Sequence, residues 1–228
     1  MLALALIGPA VLARPASAQE RIGAATVIRN DVSRASGTRT SALATGDTVF
    51  RDEAVQTGAD SLAKLVFLDD TNLSLGPSAR VELDRFVYSG ANGAGRVGVN
   101  MARGAFRFVT GNADKRAYEI RTPVATIGIR GTVFDVVAAG GRTTVTLLEG
   151  EVRVCTRGGN VRCEVANQPG QVIVVTAGGI GRGAPGRGQD FSALCAGASG
   201  LCSATRFADA QTFQTAQAGG GGASLCGR

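Results

Sequence analysis

Histidine and tryptophan are absent from the 228 residues, lysine and tyrosine occur twice each, and there is no C-x-x-C pair. Losing histidine removes the commonest general base, the commonest zinc ligand and the Ser-His and Cys-His dyads together. The five cysteines, at 155, 163, 195, 202 and 226, are spaced in ways that supply no metal-ligand pattern, so neither metal nor cofactor is implied. Long apolar runs are missing too: residues 2–12 fall short of the roughly 20 needed to span a bilayer, so no transmembrane segment is expected in the mature chain. Basic residues exceed acidic ones, 24 against 18, but the arginines lie scattered among the acids. That pattern reads as a solvated surface, and no nucleic-acid partner is expected. The densest basic patch, residues 96–121, could meet an anionic partner.

What is present is a strand-and-turn composition. A hydrophobic content of 44% excludes global disorder, and 33 glycines beside nine phenylalanines imply many turns and slim aliphatic layers. Short alternating segments recur at 24–29, 48–50, 54–57, 62–68, 72–75, 80–88, 97–101 and 105–109, with turns at Asp69-Asp70 and Gly76-Pro77. The densest run is 117–154. Its apolar pairs Tyr118/Ile120, Ile127/Ile129, Phe134/Val136, Val145/Leu147 and Val152/Val154 keep the period of half-buried strands. Between them stand Thr122-Pro123, Gly131-Thr132, Gly140-Gly141 and Glu149-Gly150, which read as corners, with Phe134 as core filler.

Four segments follow. Residues 1–18 combine an apolar run with Ala16-Ser17-Ala18, a signal-peptidase pattern, so the mature chain is expected to begin at Gln19. Residues 19–176 form the all-β domain, a sandwich or a solenoid on periodicity alone. Residues 177–188, rich in Gly, Arg and Pro, read as a linker. Residues 189–228 form a cysteine-containing tail with helical tendency at 191–196 and 203–213.

Folding Cys155 and Cys163 into a hairpin around Gly158-Gly159-Asn160 brings them within disulfide distance. Cys195 and Cys202 could close a second bond if Gly197 and Gly200 let the chain reverse. Cys226 is left over, either free or joining two chains. Paired acids could in principle serve glycoside hydrolysis. Asp69-Asp70 fits a turn better, and Glu149 and Glu151 flank a glycine at a strand junction. Arg130 and Asp135 have no apolar role and either pair with each other or face a partner.

The run TPVATIGIRGTVF at 122–134, followed by LEGEV at 148–152, resembles the signature of the FecR domain family. The likeness extends to LATGD at 43–47, VQTGADSL at 55–62, LSLGP at 73–77 and QPGQ at 168–171. It implies a secreted or periplasmic domain of a Gram-negative bacterium, best known as the outer half of transmembrane anti-sigma regulators. It also implies a β-helix-like stack, with Thr122, Pro123, Gly131, Thr132, Phe134 and Gly150 as structural signature positions. The expectation is thus a stand-alone, non-enzymatic binding module that engages an envelope protein or cell-wall polymer. A scaffold assembling through sheet edges or Cys226 is the alternative, and a hydrolase the weakest reading.

Overall fold

The structure is a computed structural model that describes residues 19–84, 97–112, 118–184 and 191. Every regular element among them is a strand: β1 (Arg21–Arg29), β2 (Val32–Ser36), β3 (Arg39–Ala42), β4 (Thr48–Phe50), β5 (Ala54–Thr57), β6 (Leu62–Phe67), β7 (Asn72–Leu75) and β8 (Arg80–Glu82). Then come β9 (Val97–Val109), β10 (Tyr118–Arg121), β11 (Ala125–Ala139), β12 (Arg142–Thr156), β13 (Cys163–Ala166), β14 (Val172–Thr176) and β15 (Gly179–Gly183). Among the described residues no helix is long and apolar enough to cross a membrane. The expected signal segment 1–18 and, apart from Phe191, the expected helical tail with Cys195, Cys202 and Cys226 lie outside the described residues.

Three long strands organise the molecule. β9, β11 and β12 each bend at a glycine with positive φ: Gly104 (109°), Gly131 (62°) and Gly150 (85°). At each bend the parity of the core-facing residues changes. Val99 and Met101 point inward before Gly104, then Phe106 and Phe108; Ile127 and Ile129 before Gly131, then Phe134 and Val136; Val145 and Leu147 before Gly150, then Val152 and Val154. A one-residue slip sends side chains to the opposite face of a sheet, so such a slip combined with a sharp bend keeps the apolar set inside while the strand passes from one sheet to another. The β11–β12 ladder slips its register between Arg130 and Phe134, as this requires.

Two sheets result, joined through these strands. The first runs β4-β1-β6-β7, the C-terminal part of β9, the C-terminal part of β11, the N-terminal part of β12, β14 and β15. The second runs β3-β2-β5-β8, the N-terminal part of β9, β10, the N-terminal part of β11, the C-terminal part of β12 and β13. β1 turns into β2 at Asn30, itself at positive φ, so the circuit β1-β6-β7-β9-β8-β5-β2 closes on itself around one core.

A solenoid of stacked rungs is not what this pairing builds. Rungs stack through parallel ladders, whereas among the described strands only β9 and β10 pair in parallel. The corners expected at Gly131 and Gly150 exist, but they bend continuous strands rather than separate short ones. β15 lies in the segment read as a linker: Gly179–Gly183 pairs with β14 throughout, because a backbone ladder needs no side chain to form.

Candidate interaction site

The signature residues hold the corner together. Thr122 and Pro123 make the turn from β10 to β11, where the Thr122 hydroxyl accepts the Ala125 N–H at 2.9 Å and meets the Thr143 hydroxyl at 2.8 Å. Arg157 donates to the Thr122 carbonyl at 2.6 Å. Thr132, fully buried, donates through its hydroxyl to the Glu151 carbonyl at 2.7 Å and through its N–H to the Thr110 hydroxyl at 3.0 Å. It therefore ties β11 to β12 and to the end of β9. A Cβ on Gly150 would collide with the Gly131 carbonyl oxygen, so the two bends nest only with glycine at 150. Phe134 is core, its ring 5.6 Å from that of Phe108.

Asp135 does not face outward to a partner. It sits opposite Arg107 on the β9–β11 ladder, and the guanidinium donates to both its carboxylate oxygens, at 2.7 and 2.8 Å. Arg107 and Asp135 are 3% and 1% exposed, which makes this a buried fork-on-fork ion pair. Phe191 completes the cluster: its N–H donates to Asp135 at 3.2 Å, and the Arg107 guanidinium lies 5.5 Å from its ring centroid. Asp135 could not be matched to Arg107 from sequence, since 28 residues separate them and only the ladder register sets them opposite. The side chain of Arg130 lies outside the described part of the structure.

The paired acids do not converge on a shared site. Asp69 is buried in the β6–β7 turn, accepting from the Thr71 hydroxyl at 2.8 Å and from the Tyr118 hydroxyl. Asp70 sits on the same turn at positive φ and accepts from Asn112. Glu149 and Glu151 are exposed on either side of the Gly150 bend.

The hairpin expected between Cys155 and Cys163 is present and joins β12 to β13. Cys155 and Cys163 are ladder partners, 4.0 Å apart at Cα, and are bonded as a disulfide. Clasped in this way, the hairpin presents Val161 and Val165, 67% and 38% exposed. Arg157, Arg162, Thr156 and residues 176–179 line an open cleft of about 570 Å³ beside it. Arg182 reaches over from β15 to the Val165 carbonyl at 2.6 Å and pairs with Glu164 at 3.6 Å. Apolar side chains rimmed by guanidinium groups have the make-up of a protein contact. Val165 lies in β13 and Val161 in the loop before it, and nothing in their spacing marks either as exposed.

No curated protein matches this chain in sequence. Two crystal structures of a protein from Parabacteroides distasonis, provisionally described as an anti-sigma factor, are similar in fold at 18% identity, with TM-scores of 0.46 and 0.45. In each case the likeness covers 57% of this chain and 59% of the other, so the chain spans less than two thirds of the length of these relatives. The family model described as FecR protein matches residues 53–153, the segment from the start of β5 to the middle of β12 that holds the Thr122 turn, the Gly131 and Gly150 bends and the Arg107–Asp135 pair. The likeness of this chain to the FecR protein family thus extends over residues 53–153.

Proposed function

We propose that this protein is an exported, non-enzymatic sensing module that binds an envelope protein or cell-wall polymer through the clasped β12–β13 hairpin and its cleft. The FecR likeness over residues 53–153 carries the reading towards signalling. The signal-like residues 1–18 support export to the periplasm or cell surface, where a disulfide such as Cys155–Cys163 persists. Under the same reading the binding domain runs from residue 19 through β15 at residue 183, and Cys195 and Cys202 close a second bond. The hairpin suits a docking role because the disulfide fixes it before binding, which lowers the ordering cost of association.

The test is crosslinking of the full chain in envelope preparations of its own host, compared with a Val161→Asp/Val165→Asp variant of unchanged melting temperature. A discrete product formed by the wild type and lost in the variant supports the reading. No product with either chain removes the binding role, and an equal product with both moves the contact away from the hairpin.

A further inference from the structure

In the basic patch that the sequence marks as densest, Arg107 pairs with Asp135 and Arg121 with Glu119. The cleft beside the clasped hairpin differs. Arg157 and Arg162 both line it, and among the described residues neither belongs to an ion pair. Glu164, next to Cys163, is already taken by Arg182. No acid lines the cleft, nor the adjoining recess of about 510 Å³ that shares Arg162, Thr176 and Gly179 with it. Both arginines are held by bonds that leave their charge uncompensated. Arg157 donates its backbone N–H to the Val124 carbonyl at 3.0 Å and its Nη1 to the Thr122 carbonyl at 2.6 Å, which leaves most of the guanidinium donors to spare. Arg162 exchanges bonds with Thr156: its N–H donates to the hydroxyl at 3.0 Å, and its carbonyl accepts the Thr156 N–H at 2.9 Å. The Arg162 guanidinium lies against Gly179, where a Cβ would collide with Nη2. Glycine at that end of β15 therefore makes room for the charge.

We propose that this cleft is an anion site, which seats a carboxylate or phosphate group of the molecule that docks on the hairpin. The inference rests on the docking reading above and names the chemistry that would be recognised. Like charges lining one concavity repel each other until a counter-charge enters, so two uncompensated guanidinium groups favour an anion. Their planar forks match the paired oxygens of a carboxylate or phosphate. The Thr176 hydroxyl accepts the Gly178 N–H at 3.3 Å and so keeps its own proton to donate. An apolar ligand is not what the lining suits, since Val124 and Ala177 supply its only apolar side chains. The division of labour follows: the exposed valines supply apolar contact, while the arginines select the sign of the partner's charge and fix its orientation.

Isothermal titration of the full chain tests it, with a short polyglutamate peptide and inorganic tripolyphosphate as probes and a Gly-Ser peptide of equal length as the uncharged control. At low salt at least one anion binds and the control does not. Added salt weakens that binding, and Arg157→Gln/Arg162→Gln lowers it at least about tenfold. Binding of polyglutamate alone assigns a carboxylate, and of tripolyphosphate alone a phosphate. Arg162→Gln by itself changes only an exposed side chain and lowers affinity at least about threefold, which keeps the test open should loss of the Arg157 bond to Thr122 impair folding. No binding of either anion by the wild type, or equal binding by the variants, overturns the proposal. The crosslinking experiment separates this outcome from failure of the docking reading. A product retained in full by the double arginine variant keeps the hairpin contact and overturns the anion's part in it. Absence of any product, with anion binding that still depends on the two arginines, keeps the site and removes the docking.

Discussion

At the scale of single residues, the Arg107–Asp135 pair and Gly150 matter for opposite reasons. Burying the pair strips water from two charges, and their mutual hydrogen bonds offset that loss only while both remain. Asp135→Ala leaves a guanidinium buried without its carboxylate, and should lower unfolding stability by about 3–5 kcal/mol. Replacing both residues by apolar ones of similar volume should lower it much less. Urea titrations with unchanged slope measure both, and equal losses would show that the pair's packing, rather than its charge, is what counts. At Gly150 the backbone itself is constrained: φ is 85° and the Gly131 carbonyl oxygen occupies the space of a Cβ. Gly150→Ala should therefore be destabilising by roughly 1–3 kcal/mol or more. Gly158→Ala, also at positive φ but with nothing within 4 Å of the added carbon, should lose less. Comparable thermal shifts for the two would refute the nesting of the bends.

At the scale of elements, the disulfide closes a local loop, eight residues apart in sequence, at the edge of the second sheet. Chain-entropy reasoning gives a loop of that size about 2–3 kcal/mol. The double substitution Cys155→Ser/Cys163→Ser should loosen β13 while leaving the core intact, because β12 remains paired with β11 along its length. Amide exchange would show protection lost at 163–166 and kept at 152–154; loss at both would make the clasp a condition of the whole sheet. Strand positions were largely legible: β4, β5 and β7 match the alternating segments residue for residue, since each packs one apolar face. The continuity of β9, β11 and β12 was not legible, because glycine signals a chain break and a bend within a strand alike, and only the change of parity across it tells them apart. β3 and β15 were missed for another reason. Arg-Thr-Ser-Ala is exposed throughout, and Gly-Ile-Gly-Arg-Gly has one apolar side chain, Ile180, half-buried against the core, so neither segment leaves a hydrophobic period to read. The partner of Asp135 depends on ladder register across 28 residues, which leaves no local trace.

At the scale of the whole molecule, sharing three strands between two sheets ties their fates together. Neither sheet owns β9, β11 or β12, and side chains from both meet in one core, so unfolding one sheet removes half of each long strand from the other. That coupling favours a single all-or-none transition despite the mainly long-range pairing, which also makes folding slow for the chain's size. With tryptophan absent, Tyr118 is a natural reporter of the interior, since it is buried and lies edge-on to Phe108 with centroids 5.8 Å apart. Its fluorescence and the far-UV circular dichroism should therefore change at the same denaturant concentration. Phe108→Ala should move both together: it empties the space between Tyr118 and Phe134 on a strand common to the two sheets, for a loss of about 3–5 kcal/mol. Since small domains hold only about 5–15 kcal/mol in total, that variant should lie close to the edge of folding at room temperature. Two separated transitions, or a Phe108→Ala variant in which one probe shifts and the other stays, would mean that the glycine bends act as hinges between independent sheets rather than as corners of one cooperative unit.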